Sequence, residues 1–200
     1  MRFAIRMTLA AFAAALSLSA HAQQGPDALV KSVTQEVVQI LKTDPKVQSD
    51  QARLRELIET KLVPNFDFQR MTALAMGRNW RQATPEQQKL LTDNFRTLLV
   101  RTYSGALNQY RDQTIDFKPL RADANATDVL VRTEVVRPGQ PAVQIDYGME
   151  KKDGTWKAYD VIVGGVSLVT NYRDEFAEQV RQGGIDGLIK TLQTKNASGK

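Results

Sequence analysis

Once a short N-terminal leader is set aside, the side chains left to do chemistry are carboxylates, tyrosines, lysines and serines. The chain has no cysteine, and its one histidine, His21, falls inside the leader. This removes Ser-His-Asp and Cys-His catalysis and the usual zinc, copper and haem ligands. Two carboxylate pairs remain as candidates for acid–base work, Asp112 with Asp116 and Asp146 with Glu150. Such a pair becomes catalytic when burial splits its two pKa values, and the pattern around neither pair predicts burial. Gly164-Gly165 and Gly183-Gly184, with Gly187, lack the phosphate-loop spacings and predict tight turns. Tyr103, Tyr110, Tyr147, Trp156, Tyr159 and Tyr172 fall mostly on inward positions of their elements. Periodicity alone does not separate a packed aromatic core from the wall of an apolar pocket.

The leader has three parts in order: basic Arg2 and Arg6, an uncharged run from Met7 to Leu18, and the small-x-small site Ala20-His21-Ala22. That order predicts a secretory signal over residues 1–22, cleaved near Ala22-Gln23. The apolar run is shorter than the ~20 residues a membrane span needs. The expected product is one exported domain, residues 23–200, large enough for a core without disulfides. Losing Arg2 and Arg6 lowers the net charge from +5 to +3. The charges are well mixed, with no one-sided basic stripe of the kind that binds nucleic acid.

Apolar residues at helical spacing predict helices over Leu29–Leu41, Leu54–Leu62 and Phe66–Ala75, the last ending at Gly77. Thr84-Pro85-Glu86-Gln87 is a capping box with proline at the first helical position. It predicts a long helix to about Arg111. The period then changes to two. Ile115 and Phe117, Val129 to Val135, Val143 to Met149 and Thr155 to Val163 read as about four antiparallel strands joined by short turns, one of them Asp153-Gly154. Ser167 is placed as the cap of a helix through about Arg181, a shorter helix follows Gly184, and the chain from Asn196 is expected to fray. The layout is α+β: a curved antiparallel sheet covered by helices from both ends of the chain, with room for an apolar pocket.

Three blocks of sequence carry a resemblance. One runs Val63-Pro64-Asn65-Phe66-Asp67-Phe68-Gln69-Arg70-Met71 and resumes at Gly77-Arg78-Asn79-Trp80-Arg81. The second is Phe95-Arg96-Thr97-Leu98-Leu99-Val100-Arg101-Thr102-Tyr103. The third is Trp156 to Phe176, with Gly184-Ile185-Asp186-Gly187-Leu188-Ile189 after it. Together they resemble the MlaC family of periplasmic phospholipid-binding, or toluene-tolerance, proteins, over residues 27 to 195. The resemblance implies a sheet-and-helix fold similar to nuclear transport factor 2, and a deep pocket for the acyl chains of a glycerophospholipid. It also implies a non-enzymatic monomer with no cofactor beyond its lipid cargo. Such a protein works in the periplasm between an outer-membrane lipoprotein–porin complex and an inner-membrane ABC transporter with its substrate-binding subunit. It thereby maintains outer-membrane lipid asymmetry.

With that implication, the candidate pocket residues on the sheet are Val131, Val143, Ile145, Tyr147, Met149, Trp156, Tyr159 and Val161. On the helices they are Phe66, Met71, Leu98, Tyr103, Leu107, Leu168 and Tyr172. Trp156 and Tyr159 are expected on opposite strand faces unless a bulge intervenes. Two other functions fit the same composition: a periplasmic chaperone or adaptor that binds protein clients in an apolar groove, and a hydrolase using a carboxylate pair.

Overall fold

The computed structural model describes residues 24–108, 110 and 113–198. The leader, and Asp112 of the first carboxylate pair, lie outside the described residues. Helix α1 spans Pro26–Thr43, α2 Pro45–Ser49 and α3 Gln51–Leu57. A π-turn (Ile58–Leu62) and a 3-10 turn (Val63–Asn65) lead into α4, Phe68–Met76, and α5 covers Pro85–Asn108. Five strands follow: β1 Thr114–Phe117, β2 Asp128–Val136, β3 Val143–Lys152, β4 Thr155–Val163 and β5 Val166–Ser167. The chain ends in α6, Arg173–Ser198. The sheet is antiparallel throughout, in the order β1-β2-β3-β4-β5.

Local chemistry explains most boundaries. The capping box at the start of α5 is complete: Gln87 N–H donates to Thr84 Oγ1 (3.2 Å), and Thr84 N–H donates to Gln87 Oε1 (3.0 Å). Asp153 and Gly154 have φ of 48° and 80°, the left-handed pair that a two-residue hairpin needs. Gly164 and Gly165 repeat the device, with φ of 57° and 85°. They turn the chain into β5, a fifth strand where the pattern predicted a helix start. Ser167 still caps, one step later: its Oγ accepts Thr170 N–H (2.9 Å) at the 3-10 turn before α6. The expected break at Gly184 is real, since its φ of 67° and ψ of −175° interrupt α6. The expected fraying from Asn196 is corrected. Asn196 Nδ2 donates to the Asn94 carbonyl (3.0 Å) and Arg101 donates to the Asn196 carbonyl, so the end of α6 is tied to α5.

Cross-strand partners share a face. Three rows therefore define the inner side of the sheet: Val129, Met149 and Ala158; Val131, Tyr147 and Val161; Thr133, Ile145 and Val163. Helix α1 covers part of it, with Val30 packed among Val129, Val131, Met149 and Ala158. The opposite side carries Asp128, Glu150 and Lys157 in one row and Arg132, Asp146 and Ile162 in another. The register shifts between Gly148 and Met149, leaving Tyr159 as the extra residue of a β-bulge. This bulge brings Val161 back to the inner side.

Two further clusters complete the core. Phe95, Leu91, Leu98, Leu99, Met71, Ala75, Phe176, Leu188 and Leu192 join α4, α5 and α6. Val37, Leu41, Val47, Leu54, Leu57 and Ile58 join α1 to the α2–α3 segment.

Candidate functional site

The three clusters do not close on one another. Where they meet, an apolar cavity of about 180 Å³ remains. The turn after α3 supplies Ile58, Leu62, Val63 and Phe66, and α4 supplies Phe68 and Met71. Helix α5 supplies Leu99, Val100, Tyr103, Ser104 and Leu107, and the sheet edge supplies Val161 and Leu168. None of these carries a charge. The Tyr103 phenol is pushed up to about 12 by burial and by the neighbouring Tyr172 hydroxyl, so it stays neutral. A smaller apolar chamber of about 70 Å³ lies beside the first, under α1, and includes Tyr147, Met149 and Phe66 in its lining. Burial pushes the Tyr147 phenol to about 12 as well.

Of the sequence candidates, Phe66, Met71, Tyr103, Leu107, Val161 and Leu168 come together in the main cavity. Tyr147 and Met149 line the smaller chamber. Leu98 is buried in the α4–α5–α6 cluster, and Tyr172 packs edge-on against Phe95 there. Val131 sits under α1, and half-buried Trp156 packs on the same cluster. Ile145 is half-buried on the inner side, whereas Val143 is 43% exposed near the sheet's end. Tyr159, the bulge residue itself, faces the other side, against Asp128 and Arg70 and away from Trp156. The lining residues that periodicity missed are Ile58, Leu62, Val63, Phe68, Leu99, Val100 and Ser104. Val100 and Ser104 lie at helical i, i+4, i+7 spacing with the candidate Leu107, so they could have been found by extending its face of α5.

A polar clamp fixes α4, and with it Phe68 and Met71. Arg70 bridges Asp128 (2.6 Å) and Glu150, and its guanidinium stacks on the Tyr159 ring with a centroid distance of 3.6 Å. Tyr159 Oη donates to Asp128 Oδ1 (2.7 Å). Its ring lies 3.0 Å from where a Cβ on Gly148 would stand, so a larger residue there would have to push the ring aside. Asp67 caps α4 by accepting Arg70 N–H (2.9 Å) and pairs with Lys152. Glu150 is thus committed to Arg70. Asp146 Oδ2 accepts from Gln144 (2.7 Å), and Asp116 is exposed on β1. None of these three carboxylates lines the cavity. Among the described residues no group of three or more His, Cys, Asp or Glu side chains is placed to hold a metal. A separate surface hollow gathers Gly77, Arg78, Arg81 and Arg173, and none of its arginines is in an ion pair with a described residue.

The clamp predicts an acid response. Burial opposes ionisation of Asp67, but Lys152 and the Arg70 N–H outweigh it and hold the carboxyl below its ordinary value of 3.8. A lowered folded pKa stabilises the fold above the unfolded value and loses that contribution as pH falls through the folded one. Asp67→Asn keeps a capping side chain but loses the charge. Wild type is expected to melt above Asp67→Asn at pH 7, with the gap closing below about pH 4. Paired melting curves from pH 7 to 2 check this, and a gap that does not change with pH would refute it.

An α+β architecture with an uncharged apolar cavity between sheet and helices defines a protein built around an apolar site. Residues 31–194 match the MlaC protein family model, and the chain belongs to that family. It is 30% identical to a toluene tolerance protein of Pseudomonas putida, over 94% of this chain and 87% of the relative. It is 23% identical to the intermembrane phospholipid transport system binding protein MlaC of Haemophilus influenzae, over 74% of this chain and 71% of the relative. The structure of a phospholipid-binding protein from Ralstonia solanacearum, solved in complex with a phospholipid, superposes with a TM-score of 0.80. It is 41% identical and covers 89% of this chain and 99% of its own. Among the described residues no helix is long and apolar enough to cross a membrane.

Proposed function

We propose that this protein is a phospholipid carrier without catalytic activity. It holds acyl chains in the cavity between α4, α5 and the turn after α3, and leaves the headgroup outside. The observation that carries this is the uncharged cavity, in a chain that shares its fold with, and is 41% identical over 89% of its length to, a protein solved with a phospholipid bound. Each buried methylene contributes roughly 0.8 kcal/mol, so affinity needs no polar chemistry, and Cys, His and metal are dispensable. The exported domain works in the periplasm as a monomer. It takes lipid from an outer-membrane lipoprotein–porin complex and delivers it to an inner-membrane ABC transporter with its substrate-binding subunit, the flow that preserves outer-membrane asymmetry. The arginines around Gly77, in no ion pair with a described residue, suit an anionic surface met on the way.

The test is mass spectrometry of lipid extracted from the gently purified exported protein. Near-stoichiometric glycerophospholipid is expected. Protein free of lipid, or carrying client peptides in its place, would overturn the proposal.

A further inference from the structure

Two chambers share one thin wall. The main cavity and the smaller chamber under α1 have Leu62 and Phe66 in common, and no other lining residue. The smaller chamber is otherwise formed chiefly by Leu29, Val30 and Val33 of α1 and by Tyr147 and Met149 of β3. Thr34 and Asn65 add short polar side chains to a mainly apolar lining, and Asn65 is engaged, donating from Nδ2 to the Lys61 carbonyl (2.7 Å). The chamber therefore suits hydrocarbon, as the main one does.

Volume decides that the wall must matter. A cavity of ~150 Å³ lined by Leu, Ile and Phe holds a benzene. The main chamber, at about 180 Å³, has room for little more. One acyl chain of a membrane lipid reaches through half of a hydrocarbon core ~30 Å thick. Neither chamber takes a whole chain as it stands, and two chains need more space than both provide. Three residues of the main chamber's wall, Ile58, Met71 and Leu99, are buried, and the rest of its lining is half-buried. The shared part of the wall is set apart by its position, since only Leu62 and Phe66 border both chambers. Leu62 closes a π-turn, a form that recurs at functional irregularities in helices. Phe66 has a fixed backbone, since its N–H donates to Val63 (3.1 Å) and the following Asp67 N–H donates to the Ala158 carbonyl (2.8 Å). Its ring, which faces both chambers, is only half-buried. Rotation about its side-chain bonds opens a passage without disturbing the strand it is anchored to.

We infer that Leu62 and Phe66 form a movable partition in the acyl-binding space, and that the chamber under α1 receives the second chain of a two-chain lipid. This rests on the carrier reading and goes beyond it by assigning α1 a place in the site and Phe66 control over how many chains are held.

Two measurements test it. Delipidated wild-type protein is loaded with a phosphatidylglycerol carrying a diazirine at the end of one acyl chain, in separate samples labelled on either chain, then irradiated and mapped by peptide. Labels on α1 around Val30 and Val33 as well as on α5 around Tyr103 and Leu107 are expected. Labels confined to α5 would overturn the partition while leaving the carrier reading intact; no loading of the lipid at all would overturn both. Secondly, Val33→Phe and Phe66→Ala are loaded from an equimolar mixture of dioleoyl phosphatidylglycerol and its lyso form, and read by native mass spectrometry. Filling the α1 chamber is expected to shift the bound ratio toward the one-chain lipid by about tenfold, the factor equivalent to a typical overpacking cost. Removing the partition is expected to shift it toward the two-chain lipid. An unchanged ratio in folded Val33→Phe would contradict the inference.

Discussion

Replacing Ser104 with phenylalanine is expected to give a folded protein that carries almost no phospholipid. Ser104 lies on α5, half-buried, with its side chain on the main cavity. Its one recorded bond is local: Oγ donates to the Arg101 carbonyl one turn back (3.1 Å). Losing that bond costs the helix little, and phenylalanine is tolerated in a helix interior. The new ring enters a space of about 180 Å³. A single aromatic ring already fills ~150 Å³, so the chamber is spent on the protein's own side chain. Each methylene of cargo buried there would otherwise contribute roughly 0.8 kcal/mol, and that term is what the variant removes. Two readouts separate blocking from unfolding. Extracted lipid should fall to near zero in Ser104→Phe and stay at the wild-type level in Ser104→Ala. Bound ligand stabilises by mass action, so wild type should lose melting temperature on delipidation, whereas Ser104→Phe should not respond. A Ser104→Phe protein that still holds wild-type amounts of lipid would place the cargo elsewhere.

The elements of this fold were legible in the sequence where one local signal dominated. The capping box at Thr84, the hairpin at Asp153-Gly154 and the interruption at Gly184 each depend on a few adjacent residues, and each has the expected geometry. Boundaries were less legible where two interactions compete. Gly164-Gly165 was readable as a turn, but whether the chain then enters a helix or pairs back along β4 depends on a non-local partner: Val166 lies opposite Val163. Asn196 looked like a frayed end because its anchors, Asn94 and Arg101, are about a hundred residues away. Composition pointed only away from the common catalytic sets, since Cys is absent and the one His falls at position 21; the apolar lipid site was what the resemblance of the three sequence blocks implied. The detailed lining of the site followed from neither. Alternation marks which side of a strand faces inward, but it does not say which inward residues are covered by a helix and which border a gap. Val131 and Val161 share one row of the sheet, yet α1 packs on Val131 while Val161 faces the cavity. The π-turn hid another part of the wall, because one extra residue per turn rotates Leu62 and Val63 out of the phase set by Leu54 and Leu57.

Phe95→Ala is the complementary case, in which stability is expected to collapse while the binding surface stays intact. Phe95 is fully buried. Its ring meets Tyr172 at 5.1 Å and 78°, and Phe176 at 5.1 Å and 70°. Both are edge-to-face contacts, which add to the burial itself. The three rings join α5 to the start of α6. Truncating a buried phenylalanine costs about 3–5 kcal/mol through lost transfer energy and the cavity left behind. A domain has only about 5–15 kcal/mol in total. At about 2–4 °C per kcal/mol for a chain of this size, the melting temperature should fall by roughly 10 °C. Tyr172→Phe keeps all three rings and should cost far less. Phe95 does not line the cavity, whereas Leu99 one turn further along α5 does. The folded fraction of Phe95→Ala should therefore still take up lipid, and saturating lipid should recover part of the lost melting temperature by mass action. Thermal melts and urea titrations with and without loaded phospholipid measure the loss and its recovery. A cost below about 1 kcal/mol would mean that the aromatic cluster does not hold α5 to α6. A folded but empty Phe95→Ala would mean that the two halves of α5 are not separable, and that the packing at Phe95 sets the shape of the cavity one turn above it.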